Sequence, residues 1–455
     1  MGRGMKGSLS TMSHGSSSIT APSVVELCSR LIAIDSSNYG PGGRVGERNV
    51  ADYVVEVLSS VGYAPVILES APGRANVLLR VPGKDPGLEA FLVHGHLDVV
   101  PVEAEGWSVD PFGGIVKDGY LWGRGAMDMK DMVASTLSTL LRWKRKGTGP
   151  ARDVVFAFVA DEETGGEFGS AWLVENHPEW FEGVVAAISE GGGAPEEELG
   201  VDGKSRWFYP VGAAERGTLH MRLRATGESG HASRSGADNA VTELIDALYR
   251  IAHHKWPVAL IPASRTFLDG ATKALGIETD LSTDEGIEAA LATLSLGLGR
   301  DVPIRGSVNP TILAAGYKVN VIPGVAEAEI DVRTIPGAED AVLEEIDRLL
   351  GSRVSREFVS NQPGISAPFD SIWFTAIKAA IVAYDEEAIV LPYLLSGGTD
   401  AKAFAKLGIQ CYGFAPLGRD PEGRREGGMH GVDERMPVAS LEIGATILEK
   451  FLTEV

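Results

Sequence analysis

His94, His96 and Asp98 stand at alternate positions in the segment Phe91-Leu92-Val93-His94-Gly95-His96-Leu97-Asp98. The segment opens as an apolar strand and closes in a turn at Pro101. Side chains alternate faces along a strand, so these three share one face. Imidazoles and carboxylates converging from a stiff element are what a divalent metal requires. Open α/β sheets also bind ligands beyond the carboxyl ends of their strands. Taken alone, the segment admits a blander reading in which both histidines are core residues bonded to backbone carbonyls.

Four later segments repeat the pattern. Gly125-Ala126-Met127-Asp128 leads into a helical run over 132–143. An apolar strand over 154–159 stops in Asp161-Glu162-Glu163-Thr164-Gly165-Gly166. Another over 184–188 ends in Ser189-Glu190-Gly191-Gly192-Gly193, and Met429-His430-Gly431-Val432-Asp433-Glu434 follows far downstream. One such ending is a weak signal, but the series in this order is a strong one.

In these motifs the chain resembles the M20 family of dinuclear zinc hydrolases. That family includes acetylornithine deacetylase, succinyl-diaminopimelate desuccinylase, aminoacylase-1, glutamate carboxypeptidase and several dipeptidases. The resemblance runs from about Val24 to the C-terminus. It implies two divalent ions, with zinc first and cobalt or manganese as substitutes. It implies that Asp128 bridges them, with His96 and Glu190 on one ion and Glu163 and His430 on the other. A carboxylate has two oxygens for two ions about 3.5–4 Å apart. Glu162 matches the family's general base. Asp98 would hydrogen-bond the His96 ring and fix its tautomer. His94, deeper in the strand, reads as a core or supporting histidine.

The resemblance also assigns substrate contacts. His231, in Gly230-His231-Ala232-Ser233, matches a histidine that reaches the partner subunit's active site and hydrogen-bonds the developing oxyanion. The family's usual proline a few residues later is absent from Ser233-Arg234-Ser235-Gly236-Ala237-Asp238-Asn239. Asn320 and Arg333 would contact the substrate, Arg333 through its carboxylate. The competing reading for Arg333 is an ion pair with Asp331 or Glu329. Gly397, Gly398 and Thr399 would offer backbone amides at a helix start, an anion site.

These residues need a frame. Helical spacing over 24–34 and 50–61, and short apolar strands alternating with helices to about residue 213, predict an α/β fold with a mostly parallel sheet. From 218 the pattern changes to a half-buried strand, a helix over 239–253, strands over 311–315, 326–332 and 353–359, and a helix over 339–350. This predicts an α+β layer of two helices on a small antiparallel sheet, resembling the lid or dimerisation domain inserted in M20 enzymes. The expected division is a disordered head at 1–20, a zinc-peptidase-like catalytic domain at 21–213 and 361–455, and the lid at 214–360.

Composition sets the outer bounds. The chain has 455 residues, 44% hydrophobic and 23% charged, in the range of a globular protein of two domains. A formal net charge of −21 argues against a nucleic-acid partner. No stretch approaches 18 unbroken apolar residues, so no membrane span is expected. Cys28 and Cys411 are the only cysteines, which fits a reducing cytoplasm.

The function expected is metal-dependent cleavage of an amide or peptide bond in a small carboxylate-bearing substrate such as a dipeptide, by a homodimer. N-acyl amino acids, acted on by a deacylase, are the second substrate class. The remote alternative is a non-catalytic binding protein on the same fold. It would predict a lost ligand or base, whereas every expected position is filled.

Overall fold

The computed structural model describes residues 22–40, 46–103, 105–233, 238–294 and 302–455. The head expected at 1–20 lies outside the described residues.

The first helix, Val24–Ile32, begins where Ser23 and Glu26 cap each other's backbone amides. Its spacing then buries Leu27, Cys28, Leu31 and Ile32. Strands Ala90–His96 and Val154–Val159 are buried at every position, the pattern of strands covered on both faces. Phe91 and Val93 point into one core with the helices Val24–Ile32, Arg48–Ser60, Lys130–Lys146 and Val438–Glu454. Leu92 points into the other, with Leu173, Phe181 and Phe404.

These strands belong to a ten-stranded sheet. Its centre is parallel: Ala90–His96 lies between Val154–Val159 and Val184–Ser189, and Gln410–Gly413 follows on the far side of Val184–Ser189. Parallel pairing puts the three carboxyl ends together, so His96, the turn after Val159 and the turn after Ser189 meet on one rim. The strand Ser205–Glu215 carries the sheet onward and pairs in parallel with Ala388–Leu395. Reading periodicity did not reveal it, because Pro210 breaks its apolar run and proline demotes a strand.

A second, four-stranded antiparallel sheet runs Ser307–Ala315, Val325–Thr334, Gly217–Thr226, Val354–Gln362. Helices Ala240–Ala252 and Glu339–Leu350 pack on it through Leu244, Ile251, Ile346 and Leu349. The segment 262–294, inside the range expected for the lid, behaves differently. Helix Pro262–Leu275 presents Phe267, Leu268 and Ala271 to Phe208 and Leu391 of the large sheet. Among the described residues no helix is long and apolar enough to cross a membrane.

One buried ion pair ties the C-terminal segment to the loop before Asp128. Glu434 accepts from Arg124 Nη1, from Gly125 N at 3.1 Å and from Met127 N at 2.8 Å. Both side chains are almost wholly buried. Glu434→Ala therefore leaves a buried guanidinium uncompensated and should destabilise the protein by about 3–5 kcal/mol. Denaturant unfolding of the metal-free protein measures it; a loss below about 1 kcal/mol would mean that the pair does not anchor this loop.

Candidate metal centre and cleft

The ligand candidates converge as two clusters that share one carboxylate. His96, Asp128 and Glu190 bring one set of ligand atoms within 4.8 Å of one another, and Asp128, Glu163 and His430 bring another. Asp128 Oδ1 lies 2.9 Å from His96 Nε2 and Oδ2 lies 3.0 Å from His430 Nε2. Glu190 is 3.8 Å from His96 and Glu163 is 3.4 Å from His430. Glu163 Oε1 is buried with no hydrogen-bond partner among the described residues, as a metal-binding oxygen would be. The donor set of imidazoles and carboxylates suits divalent ions.

The support of His96 differs in detail from expectation. Its Nδ1 donates to the backbone carbonyl of Asp98 at 2.9 Å, while the Asp98 carboxylate stands 3.7 Å away. A carbonyl only accepts, so Nδ1 holds the proton and Nε2 faces Asp128. The Asp98 carboxylate is turned to the next turn instead. It accepts from the amides of Glu162 at 3.2 Å and Glu163 at 3.1 Å, and from Asn38 Nδ2 at 2.9 Å. Asp98 thus aims the two glutamates rather than the imidazole. Asp161 before them and His430 opposite have φ of 71° and 56°, left-handed conformations that non-glycine residues seldom adopt.

His94 is 1% exposed, and neither ring nitrogen has a partner among the described residues. Burial holds its pKa down to about 3, so it stays neutral beside His96. Its ring packs 4.7 Å from that of Phe404. It is a core histidine and no part of either cluster.

The acids shift one another. Burial, then the charge of Glu190, pushes the Glu162 carboxyl well above its usual range. Burial also raises Glu190 and Asp98, and brings Asp400 up to about 7. Asp128 is opposed by burial but held low by hydrogen bonds from His430 and His96. His430 is pushed up to about 10 by Asp128 and then Glu163. His96 is raised well above its usual value by Asp128 and Glu190, against its burial.

Beside the clusters opens a cleft of about 680 Å³, lined by Glu162, Glu163, Arg333, Gly398, Thr399 and Lys402 among others. Arg333 reaches it, but its Nε and Nη2 already donate to Asp331 at 2.7 and 2.9 Å. The ion-pair reading of Arg333 is therefore the one observed. The amide and hydroxyl of Thr399 are likewise taken, by the buried carboxylate of Glu215 at 3.1 and 2.6 Å. Gly397 does not line the cleft. His231 and Asn320 lie together elsewhere. His231 pairs with Val321 across a two-residue ladder, Ala232 N donates to Asn320 O, and neither residue lines the cleft.

Four residues of the site escaped the sequence reading: Asn38, Lys402, Asp400 and Glu434. Glu434 stands inside the His430 motif, four residues on, and Asp400 directly follows Thr399, two residues after a glycine pair; that proximity was the available signal. Asn38 and Lys402 carry no motif of their own.

Residues 92–454 match the profile described as Peptidase family M20/M25/M40. The chain belongs to this family. It is 30% identical to aminoacylase-1 of Sus scrofa over 396 residues, 85% of this chain and 84% of that protein. It is 28% identical to the probable carboxypeptidase S-like 2 of Dictyostelium discoideum, over 78% of this chain and 70% of that protein. Its fold is like that of an M20 family metallo-carboxypeptidase from Sulfolobus solfataricus, with a TM-score of 0.66 at 18% identity over 94% and 97% of the two chains. It is also like that of human carnosine dipeptidase 1, with a TM-score of 0.63 at 17% identity over 94% and 95%. As a member of this family the chain is a metal-dependent hydrolase acting on amide or peptide C–N bonds.

Metal binding should release protons. At pH 7 His430, its pKa pushed up to about 10, is protonated in the metal-free protein, and Asp128 and Glu190 shift His96 in the same direction against its burial. A ligand imidazole must be neutral, so the ion at His430 displaces at least that proton, and affinity falls as pH falls. Calorimetric titrations with zinc in buffers of different ionisation enthalpy measure the release. Heats that do not depend on the buffer would contradict this account of His430.

Proposed function

We propose that the protein is a dinuclear zinc hydrolase that cleaves the amide bond joining an acyl or aminoacyl group to an amino acid with a free carboxylate. The observation that carries this reading is the pair of ligand clusters sharing Asp128, with Glu162 and a cation-lined cleft beside them. Dipeptides and N-acyl amino acids are the two substrate classes. The relatives named aminoacylase-1 favour the second, and the structural likeness to carnosine dipeptidase 1 is compatible with the first.

His96 and Glu190 would hold one ion, Glu163 and His430 the other, and Asp128 both. When bound, the ions lower the pKa of their water towards about 7 and polarise the scissile carbonyl. Glu162 is the general base. It takes a proton from the attacking water and returns it to the leaving nitrogen. Its backbone amide, bonded to Asp98, fixes where that carboxylate stands.

His231 is proposed to serve the partner's site in a homodimer, as the oxyanion donor, with Asn320 beside it at the substrate. Support comes from the lid surface. The edge strand Ser307–Ala315 exposes Ile312 and Leu313, and Tyr317 and Val319 follow at 83% and 99% exposed. An apolar edge of this kind, unpaired on its outer side among the described residues, calls for a partner. Cys28 and Cys411 are buried and form no disulfide, in keeping with a cytoplasmic enzyme.

Glu162→Gln should retain two metals and lose about 10²–10⁴-fold in rate on whichever class is turned over. A panel of dipeptides and N-acyl amino acids, with metal content measured alongside, decides the class; near-normal turnover by Glu162→Gln would remove Glu162 as the base. His231→Ala should lose about 10²–10³-fold with metals intact. Mixing it with Glu162→Gln under subunit exchange should restore activity, since one site then pairs Glu162 of one chain with His231 of the other. No restoration after verified exchange would mean that His231 acts in its own chain or not at all.

A further inference from the structure

Of the cations that line the cleft, Arg333 and Lys402 share one partner and differ in what they have left to give. Arg333 comes from the four-stranded sheet. Its fork is held by Asp331, and its Nη1 donates to Thr218 Oγ1 at 2.9 Å. Lys402 comes from the short helix Ala401–Ala405 on the large sheet and is 6% exposed. Its Nζ donates to the same Thr218 Oγ1 at 3.2 Å. Among the described residues no carboxylate oxygen lies within 4.0 Å of this ammonium. The acid with the largest influence on it, Glu215, has both oxygens engaged by Thr399.

An ammonium in that position has lost water without gaining a counter-ion, which is unfavourable until a ligand supplies one. Burial accordingly holds its pKa below the usual lysine value. Thr218 adds to the case. Its oxygen accepts from both cations, so its own proton is left for an acceptor between them. Gly398 completes the pocket: a Cβ there would stand 2.6 Å from Lys402 Nζ. Any larger residue would push the ammonium away.

We propose that Lys402 is a specificity-determining residue whose ammonium, with the Thr218 hydroxyl, binds the substrate's free carboxylate. Arg333, its fork paired with Asp331, donates to the same hydroxyl and stands beside the pocket. The inference rests on the proposed cleavage of carboxylate-bearing amides and says which group reads the carboxylate.

The test compares N-acetyl-L-amino acids with their carboxamides, in turnover and in calorimetric binding to the zinc-loaded full chain. Lys402→Met should lower the preference for acid over carboxamide by about 10- to 100-fold, chiefly in KM, with both metals retained. Lys402→Arg should keep part of the preference. Gly398→Ala, which leaves the lysine in place but crowds its ammonium, should lower the preference as well and serves if Lys402→Met does not fold. A preference that survives both Lys402→Met and Gly398→Ala overturns the proposal, as does a wild-type protein with no preference in either measurement. A wild-type protein that turns over no compound yet binds acids over carboxamides, and loses this in the variants, would refute the hydrolysis and uphold Lys402.

Discussion

Like charges gathered in a buried place repel, and the site is built on that repulsion. Asp98, Asp128, Glu162, Glu163, Glu190 and Asp400 converge on one rim of the sheet, with two histidines and one lysine among them. Burial raises Asp98, Glu162, Glu190 and Asp400 above their ordinary values. Chains do not collect carboxylates in this way for stability, because each costs desolvation free energy that its neighbours increase. Two divalent ions carry four positive charges to this place. The free energy of binding them is then also folding free energy, recovered from carboxylates that were held in an unfavourable arrangement.

Holding that arrangement falls to backbone geometry more than to side-chain pairing. Three parallel strands end together, which brings His96, Glu162, Glu163 and Glu190 to one rim. Two further carboxylates then grip the loops instead of joining the clusters. Asp98 accepts the amides of Glu162 and Glu163, and Glu434 accepts those of Gly125 and Met127 just ahead of Asp128. Each gripping acid is buried, so its hydrogen bonds to the backbone are worth more than they would be in water. A second ring of Asn38, Arg74 and Glu47 stands behind Asp98: Asn38 donates to Asp98, while Arg74 donates to Asn38 Oδ1 and Glu47 Oε1. This ring fixes an acid that itself touches no ligand atom of Asp128.

What could be read in the sequence follows from this division. Strand ends carrying His96, Glu163 and Glu190 are local features, an apolar run followed by acids and glycines, and local features are legible. Most elements of both sheets were too, since periods of two and 3.6 decide them. The strand Ser205–Glu215 was not, because Pro210 interrupts its pattern while parallel pairing with Ala388–Leu395 overrides that interruption. The return of helix Pro262–Leu275 to the large sheet was hidden for another reason. Amphipathic spacing tells which face is buried but not against what, and the partners Phe208 and Leu391 lie far off in the chain. The same limit governs the substrate side of the site. Arg333 and Thr399 belong to recognisable motifs, yet whether their hydrogen-bonding groups are free depends on how Asp331 is turned, two positions earlier on the same strand, and on Glu215, 184 positions before Thr399.

The chain leaves the large sheet for the second and finally rejoins it at one place, with helix Pro262–Leu275 packing back on the large sheet in between. The chain exits through Glu215 into Gly217–Thr226 and comes back from Val354–Gln362 to pair Ile365 with Glu215. Such adjacent ends are what let a folded unit sit inside another without disturbing its sheet. Gly217 and Gly364 make the crossing tight: a Cβ on Gly217 would lie 2.9 Å from Gly364 N. Glu215 at this crossing binds Thr399, and one turn on, Thr218 receives hydrogen bonds from Arg333 of the small sheet and Lys402 of the large one. The carboxylate pocket and the junction between the two bodies are therefore the same few residues. A ligand seated on Lys402 and Thr218 would therefore touch both sheets where the chain passes from one to the other, so its binding free energy would add to the contacts that join them.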